Sequence, residues 1–214
     1  MIMFKFFGAD KKKEETPTIT GQQIVGDRNR KYYHGSYAII ENPDLERSRE
    51  DIDFGKGFYL TEDFAMAAKW ACRKTKSIVN EYTLDLTDLK VYAFSLDKEW
   101  LDFVVANRNL EETDPKFNRY DILIGAIADD KMYSLIELYE DGLISPDVAI
   151  KVLNCMDYGN QIVLKTEKAR DAIILTSYKE LVKQERDVYR ERYKSDKIES
   201  DRRTRELLKR YNTR

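Results

Sequence analysis

The stretch Asp53-Phe-Gly-Lys-Gly-Phe-Tyr-Leu-Thr61 sets a glycine turn directly in front of a short apolar segment. Gly55 and Gly57 permit a tight turn or a close approach of the backbone to a ligand, because glycine lacks a Cβ atom. Residues 58–60 are typical of a short strand. Thr61 is a good N-cap for the segment that follows, whose apolar side chains recur at helical spacing. The stretch therefore predicts a turn, a strand and a helix in close succession.

Short strands and short helices continue on both sides of this stretch. The run Tyr120-Asp-Ile-Leu-Ile-Gly-Ala-Ile is apolar over most of its length, which is typical of a buried strand. Ser145-Pro146 is an N-cap followed by a proline at the first helical position. Strands mixed with helices in this way predict an α+β fold instead of a doubly wound sheet.

The chain divides into three predicted regions. Residues 1–28 are rich in polar and charged side chains and form a predicted flexible leader. Residues 29–178 contain the strands and helices and form the predicted domain. Residues 179–214 have neither glycine nor proline and hold 13 Lys or Arg against 8 Asp or Glu, so they predict a charged, net basic helical tail. Such a tail is a solvated helix, a partner-binding segment or a nucleic-acid contact, and the sequence leaves these alternatives open.

Composition excludes several classes of protein. The chain has 214 residues, 42% of them hydrophobic and 36% charged, and a formal net charge of −2. No apolar run approaches the roughly 20 residues of a membrane span, and Lys11, Lys12 and Lys13 follow the apolar start instead of preceding it, unlike the lysines of a secretory signal. Two cysteines and one histidine are too few for a disulfide framework, a zinc ribbon or a His-rich metal site. We expect a metal-free cytoplasmic protein that does not associate with membranes.

Three short motifs suggest a family. Tyr33-His-Gly-Ser36, the stretch from Asp53 to Thr61, and Asn80-Glu-Tyr82 follow one another in this order. Together they resemble the ADP-ribosyltransferase superfamily, in the branch whose first two signature residues are His and Tyr. Diphtheria-type toxins and poly-ADP-ribose polymerases share that branch.

Further stretches are similar to one bacterial family of this superfamily, described as a domain of unknown function (DUF3990). They are Trp100-Leu-Asp-Phe-Val104, Asn107-Arg108, the apolar run that begins at Tyr120, and Gln161-Ile162. The resemblance covers about residues 30–178. It implies an ADP-ribosyltransferase-like split β-sheet with short helices, which clasps NAD as co-substrate and needs no metal.

The resemblance also assigns roles on the nicotinamide side of the site. Tyr59 would stack on the nicotinamide ring, and an aromatic face suits a cationic pyridinium. Gly35 would offer its backbone groups to the carboxamide, with Ser36 assisting. Gly57 would let the backbone approach the ligand without a Cβ atom in the way. Gln161 would occupy the third signature position and face the ribose at the bond to be broken.

Two further residues would contact the rest of the dinucleotide. His34 would hydrogen-bond the ribose on the adenosine side, and Arg108 would reach the phosphates. With Tyr59 and Gln161, His34 completes the predicted catalytic set. Considered alone, these residue types are more often structural: a surface histidine, a core tyrosine, a solvated strand glutamine and a basic residue at a helix end.

Gln161 departs from the commonest pattern, in which protein-modifying members carry Glu at the third position. A glutamine amide forms hydrogen bonds with a ribose hydroxyl but is not a general base. An acceptor that needs deprotonation would therefore use a carboxylate elsewhere. The candidates, unranked, are Asp121, Asp129, Asp130 and Glu167.

The function expected from this resemblance is NAD-dependent mono-ADP-ribosyl transfer to RNA, DNA or protein, with release of nicotinamide. Family analogy suggests a bacterial toxin of a toxin–antitoxin or phage-defence system, for which an antitoxin protein would be a partner. Two alternatives stay open: a non-enzymatic module that binds NAD or ADP-ribose, and an NAD glycohydrolase with water as the acceptor.

Overall fold

The structure is a computed structural model that describes residues 30–72, 76–128, 132–156 and 158–211. This described part contains two β-sheets and six α-helices, which confirms the predicted α+β class. The strands are β1 Tyr32–Ser36, β2 Phe58–Leu60, β3 Ile78–Leu84, β4 Val91–Ala93, β5 Ile122–Ala126, β6 Asn160–Leu164 and β7 Ile173–Glu180. The helices are α1 Phe64–Ala71, α2 Lys98–Arg108, α3 Tyr133–Glu140, α4 Pro146–Leu153, α5 Glu167–Asp171 and α6 Lys183–Tyr211. The predicted leader, residues 1–28, lies outside the described residues.

An isolated bridge joins the two sheets in the part of the chain that the structure describes. The first sheet is antiparallel in the order β1-β3-β7, and the second has the order β2-β6-β5-β4, with only β4 and β5 parallel. The Tyr33 N–H donates to the Thr61 carbonyl at 2.7 Å, and the Thr61 N–H donates to the Tyr33 carbonyl at 3.0 Å. As a result β1, with His34, lies beside β2, with Tyr59.

Both faces of the second sheet are covered. Leu123 and Val163 point into one buried cluster, which includes Trp100 and the apolar sides of α3 and α4. Ile122 and Ile162 point into a second cluster on the opposite face. The predicted buried strand is confirmed, because β5 lies between β6 and β4 and its side chains are buried on both faces.

Helix α1 packs closely on β1. Its N-cap is Asp63, whose carboxylate accepts a hydrogen bond from the Ala65 N–H at 2.7 Å, so the prediction that Thr61 caps this helix is wrong. Thr61 instead pairs with Tyr33, and its Oγ1 accepts a hydrogen bond from the Asp63 N–H at 3.1 Å, before the helix begins. A Cβ atom on Gly35 would lie 1.9 Å from the carbonyl oxygen of Ala67, so the contact between β1 and α1 requires a glycine there.

The predicted charged C-terminal helix is present as α6, and it lies against α1 and α4. Lys69 pairs with Asp196, and Arg190 Nε donates to the carbonyl of Cys72 at 2.9 Å. Ser200 and Thr204 are buried although the helix is polar over most of its surface. Strand β7 runs to Glu180, beyond residue 178, and the division into domain and tail stays a prediction.

Candidate functional site

A cavity of about 740 Å³ lies between the glycine turn, β6, and the ends of α2 and α3. Its volume is within the range of roughly 300–1,000 Å³ that small-molecule sites occupy. Three of the predicted site residues, Tyr59, Arg108 and Gln161, line it. The described residues that line the cavity are Arg49, Asp51, Ile52, Asp53, Tyr59, Trp70, Arg108, Asn109, Ile127, Ala128, Ile136, Glu137, Glu140, Asp141 and Gln161.

Tyr59 lines the cavity, and its hydroxyl group is already engaged. The hydroxyl donates to the carbonyl of Gly55 at 2.6 Å and accepts from the N–H of Phe54 at 3.1 Å. Burial, with a smaller contribution from the nearby Asp53, raises the pKa of Tyr59 well above its ordinary value, so the phenol stays neutral. The aromatic face is therefore the part of this side chain that a ligand can use.

The glycine turn beneath Tyr59 is held from β6. Gly55 has φ +65° and Gly57 has φ +153°, and a Cβ atom on Gly57 would lie 2.6 Å from the carbonyl oxygen of Leu164. Lys165 Nζ donates to the carbonyl of Phe54 at 2.7 Å and to that of Lys56. Burial lowers the pKa of Lys165 to about 8. Gly57 thus has a structural reason to be glycine, and its predicted role in binding stays a prediction.

Gln161 is almost fully buried, with 2% of its surface exposed, yet it reaches the cavity. Its Nε2 donates to Asp53 Oδ2 at 3.0 Å and to the carbonyl oxygen of Ala126 at 3.1 Å. No donor among the described residues reaches Oε1. The amide oxygen, a hydrogen-bond acceptor, is therefore the atom that Gln161 can offer to a ligand.

Asp53 stands at the centre of the polar network under the cavity. Arg108 donates to its Oδ1 from Nε at 3.0 Å and from Nη2 at 2.7 Å, and the Ala128 N–H donates to its Oδ2 at 3.0 Å. Arg108 Nη2 also donates to the carbonyl of Ala128. Sequence reasoning missed Asp53 as a site residue, although it begins the glycine motif. Arg108 lines the cavity, but its guanidinium group is tied to Asp53.

His34 lies next to the backbone of Tyr59, outside the described lining of the cavity. Its Nδ1 donates to the carbonyl of Tyr59 at 2.7 Å, and its ring stacks on Phe58 with centroids 4.4 Å apart. Burial lowers the pKa of His34, which leaves a neutral ring with Nε2 as its acceptor. The observed contact of His34 is thus with the backbone that carries Tyr59.

Gly35 and Ser36 are also outside the described lining. Gly35 is required by the close packing of α1, and Ser36 Oγ accepts from the Ala38 N–H at 3.3 Å. Their assignment to the nicotinamide side stays a prediction. The structure therefore brings Tyr59, Arg108 and Gln161 together at one cavity. The Tyr33–Ser36 motif lies beside β2, through the bridge from Tyr33 to Thr61.

Two of the four carboxylates proposed as bases, Asp121 and Glu167, are described, and both lie outside the described lining of the cavity. Asp121 accepts from the Lys90 N–H at 2.8 Å and from Thr166 Oγ1 at 2.7 Å, outside the described lining of the cavity. Glu167 is exposed on α5 and pairs with Arg170. Asp129 and Asp130 lie outside the described residues. Among the described residues, Asp53 is the carboxylate in contact with Gln161.

Two further features of the lining were not predicted. Trp70, on the alanine-rich helix α1, contributes a second aromatic side chain, and its only sequence signal is a large residue among small ones. The mouth has more acids than bases, with Glu137, Glu140 and Asp141 contributed by the C-terminal end of α3. Aromatic and charged groups around one cavity suit a ligand that combines rings with polar groups.

The described residues offer neither a metal-binding cluster nor a membrane-spanning helix. No cluster of three or more His, Cys, Asp or Glu side chains is arranged there to hold a metal ion. No described helix combines the length and the apolar surface that crossing a membrane requires. The absence of a metal and the cytoplasmic location stay predictions.

One family model matches the chain. Its description is "Protein of unknown function (DUF3990)", and the match extends over residues 31–174. The matched region contains the glycine turn, β6 and the predicted NAD-contacting residues, and it ends before α6. No curated protein and no solved structure matches the chain. By the extent of the match, the chain belongs to the DUF3990 family.

Proposed function

We propose that the protein is an NAD-dependent mono-ADP-ribosyltransferase that modifies a macromolecule and releases nicotinamide. The observation that carries the proposal is the convergence of Tyr59, Arg108 and Gln161 on one cavity. The resemblance assigns each of them to NAD or to the reacting ribose, and they come from distant parts of the chain. The two sheets joined between β1 and β2 would correspond to the split sheet of that superfamily.

The proposed reaction breaks the bond between ribose C1′ and the nicotinamide nitrogen. The bonding electron pair leaves with nicotinamide, C1′ gains oxocarbenium character, and a nucleophile of the acceptor attacks C1′ and releases its proton. The Tyr59 ring would stack on the cationic pyridinium before the bond breaks. The free Oε1 of Gln161 would accept a hydrogen bond from a ribose hydroxyl and hold the ribose for attack.

Two polar contacts would hold the reacting groups in place. The Asp53 carboxylate is 9% exposed, its charge is paired with Arg108, and it accepts a hydrogen bond from the Gln161 amide. His34 would act by fixing the backbone of Tyr59 through the hydrogen bond from Nδ1.

The biological part of the proposal follows the family analogy. A transferase of this kind would act in the cytoplasm as a toxin of a toxin–antitoxin or phage-defence system, and an antitoxin protein would neutralise it. The acceptor class is RNA, DNA or protein.

One observation favours a second candidate function. Gln161 stands where a general base is common, and its Nε2 is tied to Asp53. A module that binds NAD or ADP-ribose without turnover would need no base at that position. An NAD glycohydrolase differs from both functions, because it consumes NAD and labels no acceptor.

The test uses the purified protein and NAD labelled on the adenylate phosphate. The protein is incubated with separate pools of total protein, RNA and single-stranded DNA, beside Tyr59→Ala and Gln161→Ala variants. Tyr178→Ala is the matched control, because Tyr178 is 54% exposed on β7, outside the described lining. Label on one pool, lost in both cavity variants and kept in the control, supports the transferase and identifies its acceptor class. Loss of NAD without label indicates the glycohydrolase, and binding without loss indicates the module.

A further inference from the structure

We infer that Asp53 is a positioning residue that holds the Gln161 amide with its oxygen toward the ligand. The inference rests on the proposed function and assigns Asp53 a task in it. It explains how Gln161 can hold the ribose at a position where a carboxylate is common. The carboxylate of Asp53, from the glycine motif, acts by holding the Gln161 amide.

The first step of the argument is the direction of the amide. Both acceptors near Gln161 Nε2, Asp53 Oδ2 and the Ala126 carbonyl, lie on the protein side. The opposite amide rotamer would bring Oε1 against these two acceptors, and it would lose both hydrogen bonds. The orientation with Oε1 left for the cavity is therefore strongly preferred.

The second step is the fixed position of Asp53 itself. Phe54, the next residue, is fully buried and packs over Gly125, where an added Cβ atom would lie 2.7 Å from Phe54 Cζ. Gly125 pairs with Gln161 across the β5–β6 ladder. Phe54 therefore anchors Asp53 directly beside the residue that it orients.

The third step separates positioning from base catalysis. A carboxylate has about four lone-pair sites for hydrogen bonds. Asp53 receives four: two from Arg108, one from the Ala128 N–H and one from Gln161. With its lone pairs filled by protein donors, Asp53 is poorly placed to take a proton from an acceptor, and its effect on the reaction passes through Gln161.

Substitution of Asp53 by asparagine tests the orientation. In Asp53→Asn an amide N–H₂ can replace Oδ2, so Gln161 Nε2 loses one of its two acceptors and the amide is no longer held in a single orientation. Because the amide oxygen is then no longer held toward the ligand, we expect kcat for nicotinamide release to fall about 100-fold. KM for NAD should change by less than about threefold, because the Tyr59 stacking surface is unaltered.

A double-variant cycle shows whether Asp53 acts through Gln161. In a Gln161→Ala background, Asp53→Asn should lower kcat by less than about twofold, since the group that it orients is gone. A full effect in both backgrounds would overturn the inference. Asp196→Asn is the matched control, because it removes a carboxylate from another ion pair, with Lys69, away from the cavity. Thermal unfolding by circular dichroism checks that each variant is folded.

If Asp53→Asn does not fold, the exchange variant Asp53→Asn with Gln161→Glu decides. It keeps one negative charge in the network and one amide-to-carboxylate hydrogen bond between positions 53 and 161. We expect it to fold and release nicotinamide at least about tenfold faster than Gln161→Ala. A folded exchange variant that binds NAD but is no faster than Gln161→Ala would overturn the inference. Wild-type protein that releases no nicotinamide would instead overturn the proposed function, and with it this inference.

Discussion

Around the cavity, four N–H groups donate to a single carboxylate, that of Asp53. Three belong to the side chains of Arg108 and Gln161, and the fourth is the backbone N–H of Ala128. The contacts of α6 are instead spread over a helix of 29 residues, from Tyr189 in its first half to Tyr211 at its end. A convergent network loses its geometry when one member changes, whereas a distributed interface loses one contact at a time. We therefore expect large functional effects from the cavity and smaller effects on stability from α6.

The largest expected effect is that of Gln161→Ala. It removes the amide oxygen proposed to hold the ribose, so kcat for nicotinamide release should fall about 100-fold. NAD affinity should change by less than about threefold, as isothermal titration calorimetry would measure. Unchanged kcat in a folded variant would remove Gln161 from the third signature position.

The next effect separates the ring of Tyr59 from its hydroxyl group. Tyr59→Ala should weaken NAD binding about 30-fold, since stacking on an aromatic face contributes roughly 1–3 kcal/mol. Tyr59→Phe keeps the ring, so affinity should change little. It loses the hydrogen bonds to Phe54 and Gly55, and unfolding free energy should fall by about 1–2 kcal/mol. Equal losses of NAD affinity in the two variants would argue against stacking.

A smaller effect is expected where α6 is buried. Ser200 is 5% exposed, and Ser200→Glu would force a long charged side chain into that contact, which should lower the unfolding free energy by about 1–2 kcal/mol. NAD affinity should stay the same. Ser195→Glu, at an exposed position of α6, is the matched control. Urea titrations in which both variants unfold at the same concentration would contradict the docked position of the helix.

The smallest effect is the pH dependence due to His34, the only histidine of the chain. Burial lowers its pKa below the ordinary value of 6.5, so under mildly acidic conditions the unfolded chain binds a proton that the folded chain does not. The unfolding free energy should therefore fall as pH falls below 6.5, by at most about 1.4 kcal/mol per pH unit. Urea titrations between pH 7.5 and 5.5 should show a weaker fall in His34→Asn. Parallel curves for the two proteins would contradict the buried, neutral histidine.

The sequence predicted helices and strands well where neighbouring residues determine them. The apolar run of β5 and the Ser145 cap of α4 are confirmed. Thr61 was wrongly predicted as a cap because its partner, Tyr33, lies far away in sequence; Thr61 pairs with Tyr33, and the helix begins at Phe64 with Asp63 as its cap. The burial of Ser200 had no signal, because hydropathy treats a small polar residue as exposed whether or not a helix packs on it.

The residues of the candidate site were predictable where they belong to a motif of the resembled family. Tyr59, Arg108 and Gln161 were predicted from family resemblance, and they line one cavity. Asp53 was missed, since one acid before a glycine turn has many explanations, and its four hydrogen bonds form only when β5, β6 and α2 come together. His34 was predicted to face the ligand, but its observed partner is the Tyr59 backbone, a contact that depends on the pairing of two sheets.

The position of α6 has a consequence for motion. One part of the helix contacts α1, which packs on the first sheet, and another contacts α4, which covers the second. Because α6 contacts both helices, it limits how far the two sheets can move apart when a ligand enters the cavity. Amide hydrogen exchange along α6 would therefore change when the cavity is occupied, although no residue of α6 is in the described lining.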